Sequence, residues 1–168
     1  MPTIVPYTYE HKRERAVDFY GLIEPMKILV ATEKPFAKAA VEAIANVVNE
    51  AGFELALLEK YTEKAQLLEA VKDADALIVR SDKVTAEVIA AAPQLKIVVR
   101  AGAGYDNVDC AAATERGIVV MNTPGQNANA VAELALGLMI YMSRNTFKPG
   151  TGKEISGKKL GIHGYGNI

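Results

Sequence analysis

A single cysteine stands in the whole sequence, so no disulfide framework can hold the fold. Cys110 lies in an alanine-rich helical stretch and reads as a small apolar packing residue. Neither sign of charge is in excess: 19 Lys and Arg face 20 Asp and Glu, interspersed along the chain, for a net charge of −1. There is no basic stripe to neutralise a phosphate backbone or an anionic membrane, which argues against nucleic acid as a partner. Long hydrophobic runs are missing too. The most apolar segment, Ala130 to Met142, is interrupted by Glu133 and Gly137 and falls short of the about 20 residues that a membrane span needs. The opening residues lack a basic segment followed by an apolar run and a small-residue cleavage site, so the expected compartment is the cytoplasm. Histidines number only 2; His11 lies in a charged stretch and His163 in an apolar one, neither with the carboxylate partner of a general base. No metal site is expected, and no internal repeat or low-complexity tract is visible.

What the chain does have is a globular composition, 50% hydrophobic and 23% charged, and enough length to bury a core. From Met26 onward, short apolar runs alternate with amphipathic stretches, the pattern of βαβ units and a parallel sheet. Strands are predicted at Lys27–Ala31, Phe53–Leu57, Ala76–Val79, Lys96–Val99 and Ile118–Met121, nearly continuously apolar as if covered on both faces. Pro35 suits the first turn of a helix whose Val41, Ile44, Val47 and Val48 share a face and which Gly52 ends. Further helices are predicted at 63–72, capped by Thr62, at 86–92, capped by Thr85, and after Asp109, ending at Gly117. The fold class is therefore α/β, a flavodoxin-like parallel sheet.

Residues 129–143 form a helix that is apolar on nearly every face, and 145–157 are polar and glycine-rich with Pro149 inside, as in a linker. Lys159–His163 reads as a buried strand running into Gly164-Tyr165-Gly166-Asn167-Ile168, two glycines of a G-x-G-x-x-G pattern. In a dinucleotide site the first glycine makes the tight turn and the second lets the backbone approach the pyrophosphate. By itself the fragment is equally well a glycine-rich turn after any strand. Three units result: an extension over residues 1–25, a domain over 26–128, and 129–168 as helix, linker and the start of a second domain.

Three segments occur in order: Arg100-Ala-Gly-Ala-Gly-Tyr-Asp-Asn-Val-Asp109, Asn122-Thr-Pro-Gly-Gln-Asn-Ala-Asn-Ala-Val-Ala-Glu133, and Leu160 to Ile168. In that order and spacing, from Met26 to the last residue, the chain resembles the D-isomer-specific 2-hydroxyacid dehydrogenases. The resemblance implies a substrate-binding domain followed by an interdomain helix and a Rossmann domain, with NAD as cofactor, NADP remaining open, and Gly164 and Gly166 contacting it. It also implies that the amides of Ala103 and Gly104 bind the substrate carboxylate. The loop itself is consistent with an anion-binding nest or with a plain tight turn. Arg100 is expected to orient this loop by pairing with a carboxylate such as Asp106, with Asp106 and Asn107 as turn residues.

The string Arg80-Ser-Asp-Lys-Val-Thr85 resembles the phosphoglycerate branch of the family. A guanidinium fork with a neighbouring hydroxyl suits a phosphate, so Arg80 and Ser81 are candidate substrate contacts, with Lys83 adding charge. A surface ion pair is the alternative for Arg80. Asn127 is placed by the resemblance between substrate and nicotinamide; it can equally cap the following helix. The histidine, glutamate and arginine that the family uses for chemistry have no counterpart in these residues, nor has the ribose-binding acid. No residue is assigned as catalytic.

The implied activity is oxidation of 3-phospho-D-glycerate to 3-phosphohydroxypyruvate, a step of serine biosynthesis, in a homodimer. Alternatives are a hydroxypyruvate or glycerate reductase, or a non-catalytic flavodoxin-like binding module. This chain alone is expected to be an inactive, substrate-side fragment. It should also bind NAD very weakly, because no helix N-terminus follows its glycines to hold the pyrophosphate. Calorimetric titration checks this, and micromolar NAD binding would contradict it.

Overall fold

The computed structural model describes residues 25–168, so His11 and all but the last residue of the expected extension lie outside the described residues. Its elements follow the order β1 (Lys27–Thr32), α1 (Lys38–Glu50), β2 (Glu54–Glu59), α2 (Lys64–Ala70), β3 (Ala76–Val79), α3 (Ala86–Ala91), β4 (Ile97–Arg100), α4 (Cys110–Glu115), β5 (Val119–Asn122) and α5 (Ala128–Ser143). The 5 strands form one sheet in the order β2-β1-β3-β4-β5, every neighbouring pair parallel. This is the flavodoxin-like winding expected from the alternating pattern.

One face of the sheet is a continuous core. Leu29, Ala31, Leu77, Val79 and Val98 alternate along their strands and meet Leu67 and Val71 at α2, Val88 and Ile89 of α3, and Ala113 of α4. The opposite face is covered unevenly. Val48 of α1 is buried, but Val47 is 67% exposed, and so are Leu57 of β2 (48%), Val119 (55%) and Met121 (51%) of β5. Cover on both faces was thus expected of every strand and is found at the centre of the sheet, not at its edges. Strands β2 and β5 have a neighbour on one side only, so fewer side chains surround them.

The helix ends mostly obey local chemistry. Asp109 Oδ1 accepts the Ala112 amide at 3.0 Å, as expected of a cap, and Gly117 ends α4 with a left-handed φ of 67°. Three expectations need correction. Pro35 lies before α1, in a turn where the Thr32 hydroxyl donates to the Lys34 carbonyl. At α2 the capping group is not Thr62: Gln66 Oε1 accepts the amides of both Thr62 and Glu63 at 3.0 Å. Thr85 does precede α3, but its buried hydroxyl makes no hydrogen bond.

The predicted strand Lys159–His163 does not form. No described strand pairs with it, Leu160 and Ile162 are 63% and 80% exposed, and His163 is exposed rather than buried. An extended segment without a neighbour has no ladder to satisfy its backbone.

Leu77, fully buried on the central strand β3, sits where the core depends most on volume. Leu77→Ala should lower stability by about 2–5 kcal/mol. Urea denaturation of the chain measures this, and a loss below about 1 kcal/mol would place the centre of the core elsewhere.

Candidate functional site at the carboxyl edge of the sheet

Parallel strands joined by helical crossovers all point one way, so the loops after them emerge at one edge. The chain order reverses between β1 and β3, which lie side by side while β2 and β4 flank them. Arg80 and Ser81 leave β3 at this point. With Thr32, Glu33 and Lys34 from the loop after β1, and with Asp82, they line a small cavity of about 120 Å³. Arg80 and Ser81 are both exposed.

Asp82 is buried, 5% exposed, and it gathers hydrogen bonds from several loops. Its Oδ1 accepts the Glu33 amide at 2.7 Å and the Tyr61 hydroxyl at 2.8 Å, and its Oδ2 accepts the Arg80 amide at a longer 3.4 Å. Burial, followed by the bond to Asp82, raises the Tyr61 pKa, so the phenol keeps its proton as a donor. The Asp82 carbonyl accepts from Asn107 Nδ2 at 2.8 Å, and the Asn107 carbonyl in turn accepts the Val84 amide at 2.8 Å.

The loop after β4 is held at its carbonyls. Asn122 Nδ2 donates to the Ala103 carbonyl at 2.7 Å, and the Thr123 amide donates to that of Gly102 at 2.9 Å. Among the described residues the amides of Ala103 and Gly104 donate no hydrogen bond. The expected Arg100–Asp106 pair is not formed. The Arg100 guanidinium instead folds over Gly102, where a Cβ would come within 1.4 Å of it, and its buried Nε has no partner. Asp106 turns back toward Gly104, its carboxylate 3.1 Å from where a Cβ there would stand. None of the ion pairs found among the described residues uses Lys34, Arg80 or Arg100. Among the described residues, Arg80 thus has no carboxylate partner of the kind the surface-pair alternative needs.

A second, larger cleft of about 800 Å³ gathers Ala103, Asn127, Gly164 and Gly166 against Leu136 and Met139 of α5. Asn127 occupies the position that precedes α5 but its side chain caps nothing. Gly164 has a φ of 119°, a conformation that favours glycine, and the Cβ positions at Gly164 and Gly166 are open. Of the residues singled out from sequence, four thus share one cleft, Arg80 and Ser81 line the other, and Gly104 sits in the loop that adjoins the larger one. Lys83 is exposed and lines neither. Lys34 and Asp82 escaped sequence reasoning. The signal that could have found Lys34 is its place 2 residues beyond the end of β1, beside β3 in the sheet.

The model of the D-isomer specific 2-hydroxyacid dehydrogenase catalytic domain matches residues 28–161. A hydroxypyruvate reductase of Thermotoga maritima is 41% identical over 153 residues, 83% of this chain and 48% of that protein. A D-3-phosphoglycerate dehydrogenase of Methanocaldococcus jannaschii is 47% identical over 119 residues, 62% of this chain and 23% of that protein. The chain thus spans about half the length, or less, of these relatives. Among solved structures, NAD+-bound 3-phosphoglycerate dehydrogenase of Entamoeba histolytica superposes with a TM-score of 0.76 at 54% identity, covering 79% of this chain and 44% of that one. Among the described residues no helix is long and apolar enough to cross a membrane. Motifs, sheet order and matched residues agree: the chain belongs to the D-isomer specific 2-hydroxyacid dehydrogenase family.

Proposed function

We propose that this chain is the substrate-side half of an NAD-dependent dehydrogenase that oxidises 3-phospho-D-glycerate at carbon 2 to 3-phosphohydroxypyruvate. The observation that carries the reading is the positive charge at the carboxyl edge: Lys34, Arg80 and Arg100 follow or end the adjacent strands β1, β3 and β4, and none has a carboxylate partner among the described residues. Arg80 with Ser81, helped by Lys34, would bind the phosphate. The open amides of Ala103 and Gly104 would bind the carboxylate, and Asn127 would touch the substrate or the nicotinamide.

The glycine turn fits a dinucleotide in two respects: its backbone conformation at Gly164, and the open space at both glycines beside the cleft that holds Asn127. Gly164 and Gly166 would lie against the pyrophosphate, and NAD would supply the hydride acceptor for the C2 hydrogen. The chain's own residues bind and orient the substrate; no proton acceptor for the hydroxyl is assigned among them. Leu134, Leu138 and Met142 on α5 are 61%, 50% and 67% exposed, a stripe that supports a homodimer in the full-length protein.

A second reading, a hydroxypyruvate or glycerate reductase, is supported by the similarity to the Thermotoga maritima reductase. The substituent at carbon 3 separates the two. In the full-length protein Arg80→Ala removes a charge-assisted contact worth about 1.5–3 kcal/mol, a ten- to hundredfold loss in kcat/KM for 3-phosphoglycerate. D-Glycerate, lacking the phosphate, should lose about threefold or less. Steady-state kinetics on both substrates decides it, and equal losses would show that Arg80 supports the fold instead of reading a phosphate.

A further inference from the structure

Asp82 is the only buried charged side chain among the described residues, and no cation among those residues pairs with it. An isolated buried carboxylate is costly, so its position must be held by the donors that satisfy it. Those donors come from the loops after β1 (Glu33 amide), β2 (Tyr61 hydroxyl) and β3 (Arg80 amide). Through its own carbonyl, Asp82 also receives Asn107 from the loop after β4. One residue therefore ties together the loops of four strands at the edge where the proposed substrate contacts lie.

The placement of those contacts is the reason this matters. Arg80 and Ser81 are the 2 residues between the end of β3 and Asp82, and Lys34 directly follows Glu33. Asn107 closes the loop that carries Ala103 and Gly104. The phosphate-side donors thus hang from the Asp82 carboxylate, and the loop of the carboxylate-side amides hangs, through Asn107, from the main-chain carbonyl of the same residue. A hydrogen bond to an ionised acceptor is shorter and stronger than a neutral one, which suits it to fixing a distance.

We infer that Asp82 is a positioning residue for substrate length: it sets the span between the Arg80–Ser81 pair and the Ala103–Gly104 amides, so that a phosphorylated three-carbon acid reaches both. This inference rests on the substrate reading above. A residue with a merely structural role would change stability without changing which substrate is preferred.

Asp82→Asn in the full-length protein separates the two, because it keeps the volume and one acceptor oxygen but sets a carboxamide NH2 donor against the Arg80 amide donor. KM for 3-phosphoglycerate should rise about tenfold, equivalent to about 1.4 kcal/mol, with kcat changed by about twofold or less. KM for D-glycerate should move by about threefold or less, since that acid does not span both ends. Tyr61→Phe, which removes one donor and keeps the ring packed, should shift KM for 3-phosphoglycerate in the same direction by about threefold. It carries the test by itself if Asp82→Asn does not fold. A variant with a lowered Tm but unchanged KM values and an unchanged ratio between the two acids would overturn the inference. If the wild type prefers an unphosphorylated 2-hydroxyacid, the phosphoglycerate reading fails. KM of the two variants for that acid then judges Asp82, an unchanged value sinking the positioning role.

Discussion

Parallel pairing is the constraint on which everything else in this molecule depends. Strands that run the same way cannot be joined by a hairpin, so each must be followed by a helical crossover, and each crossover begins at the same edge of the sheet. The register carries this through: Ala31 pairs with Val79, Val79 with Arg100, and Arg100 with Asn122, so the ends of β1, β3, β4 and β5 are level. Polar residues that follow these strands are delivered to one line without any of them being near another in sequence. Lys34, Arg80, Arg100 and Asn122 are neighbours for that reason alone.

Burial is distributed to match. β3 lies in the middle of the sheet, and Leu77 and Val79 on it are fully buried, whereas β5 at the edge exposes Val119 and Met121. A rigid centre with looser edges places the Arg80–Ser81 loop on the best-anchored strand, which is where a binding group held to a fixed position is best supported. The amino edge is tied differently, by Lys96 and the Lys27 amide both donating to the Asp75 carboxylate at 2.7 and 3.0 Å.

The strands were legible in the sequence because short apolar runs bounded by turn residues have few other solutions, and each is found within 2 residues of its expected bounds. The helix stops at Gly52 and Gly117 were legible for an equally local reason, the left-handed backbone that glycine accepts. What was not legible depended on which strands are neighbours. Edge exposure of Leu57 and Val119, the placement of Lys34 beside Arg80 and the meeting of four loops on Asp82 all follow from the sheet order, which no local pattern contains. Lys159–His163 shows the converse: an apolar pattern that reads as a strand finds no partner among the described residues. At the candidate site, Arg80, Ser81, Ala103 and Asn127 were visible through motifs, but the Arg100–Asp106 pairing was not decided by proximity in sequence. The guanidinium lay over Gly102, where the absence of a side chain leaves room.

Why Arg80 and Asp82, two residues apart, do not simply neutralise each other is the remaining step. The Asp82 carboxylate points inward, and its Oδ1 already accepts two donors while its Oδ2 faces the Arg80 amide. An arginine fork approaching it would have to be buried and would displace those bonds, at a desolvation cost that surface pairing never repays. The guanidinium therefore stays exposed, on the same edge as Lys34 and Arg100. By engaging its carboxylate with backbone and phenol donors, the buried aspartate leaves its arginine neighbour exposed and without an ion pair among the described residues.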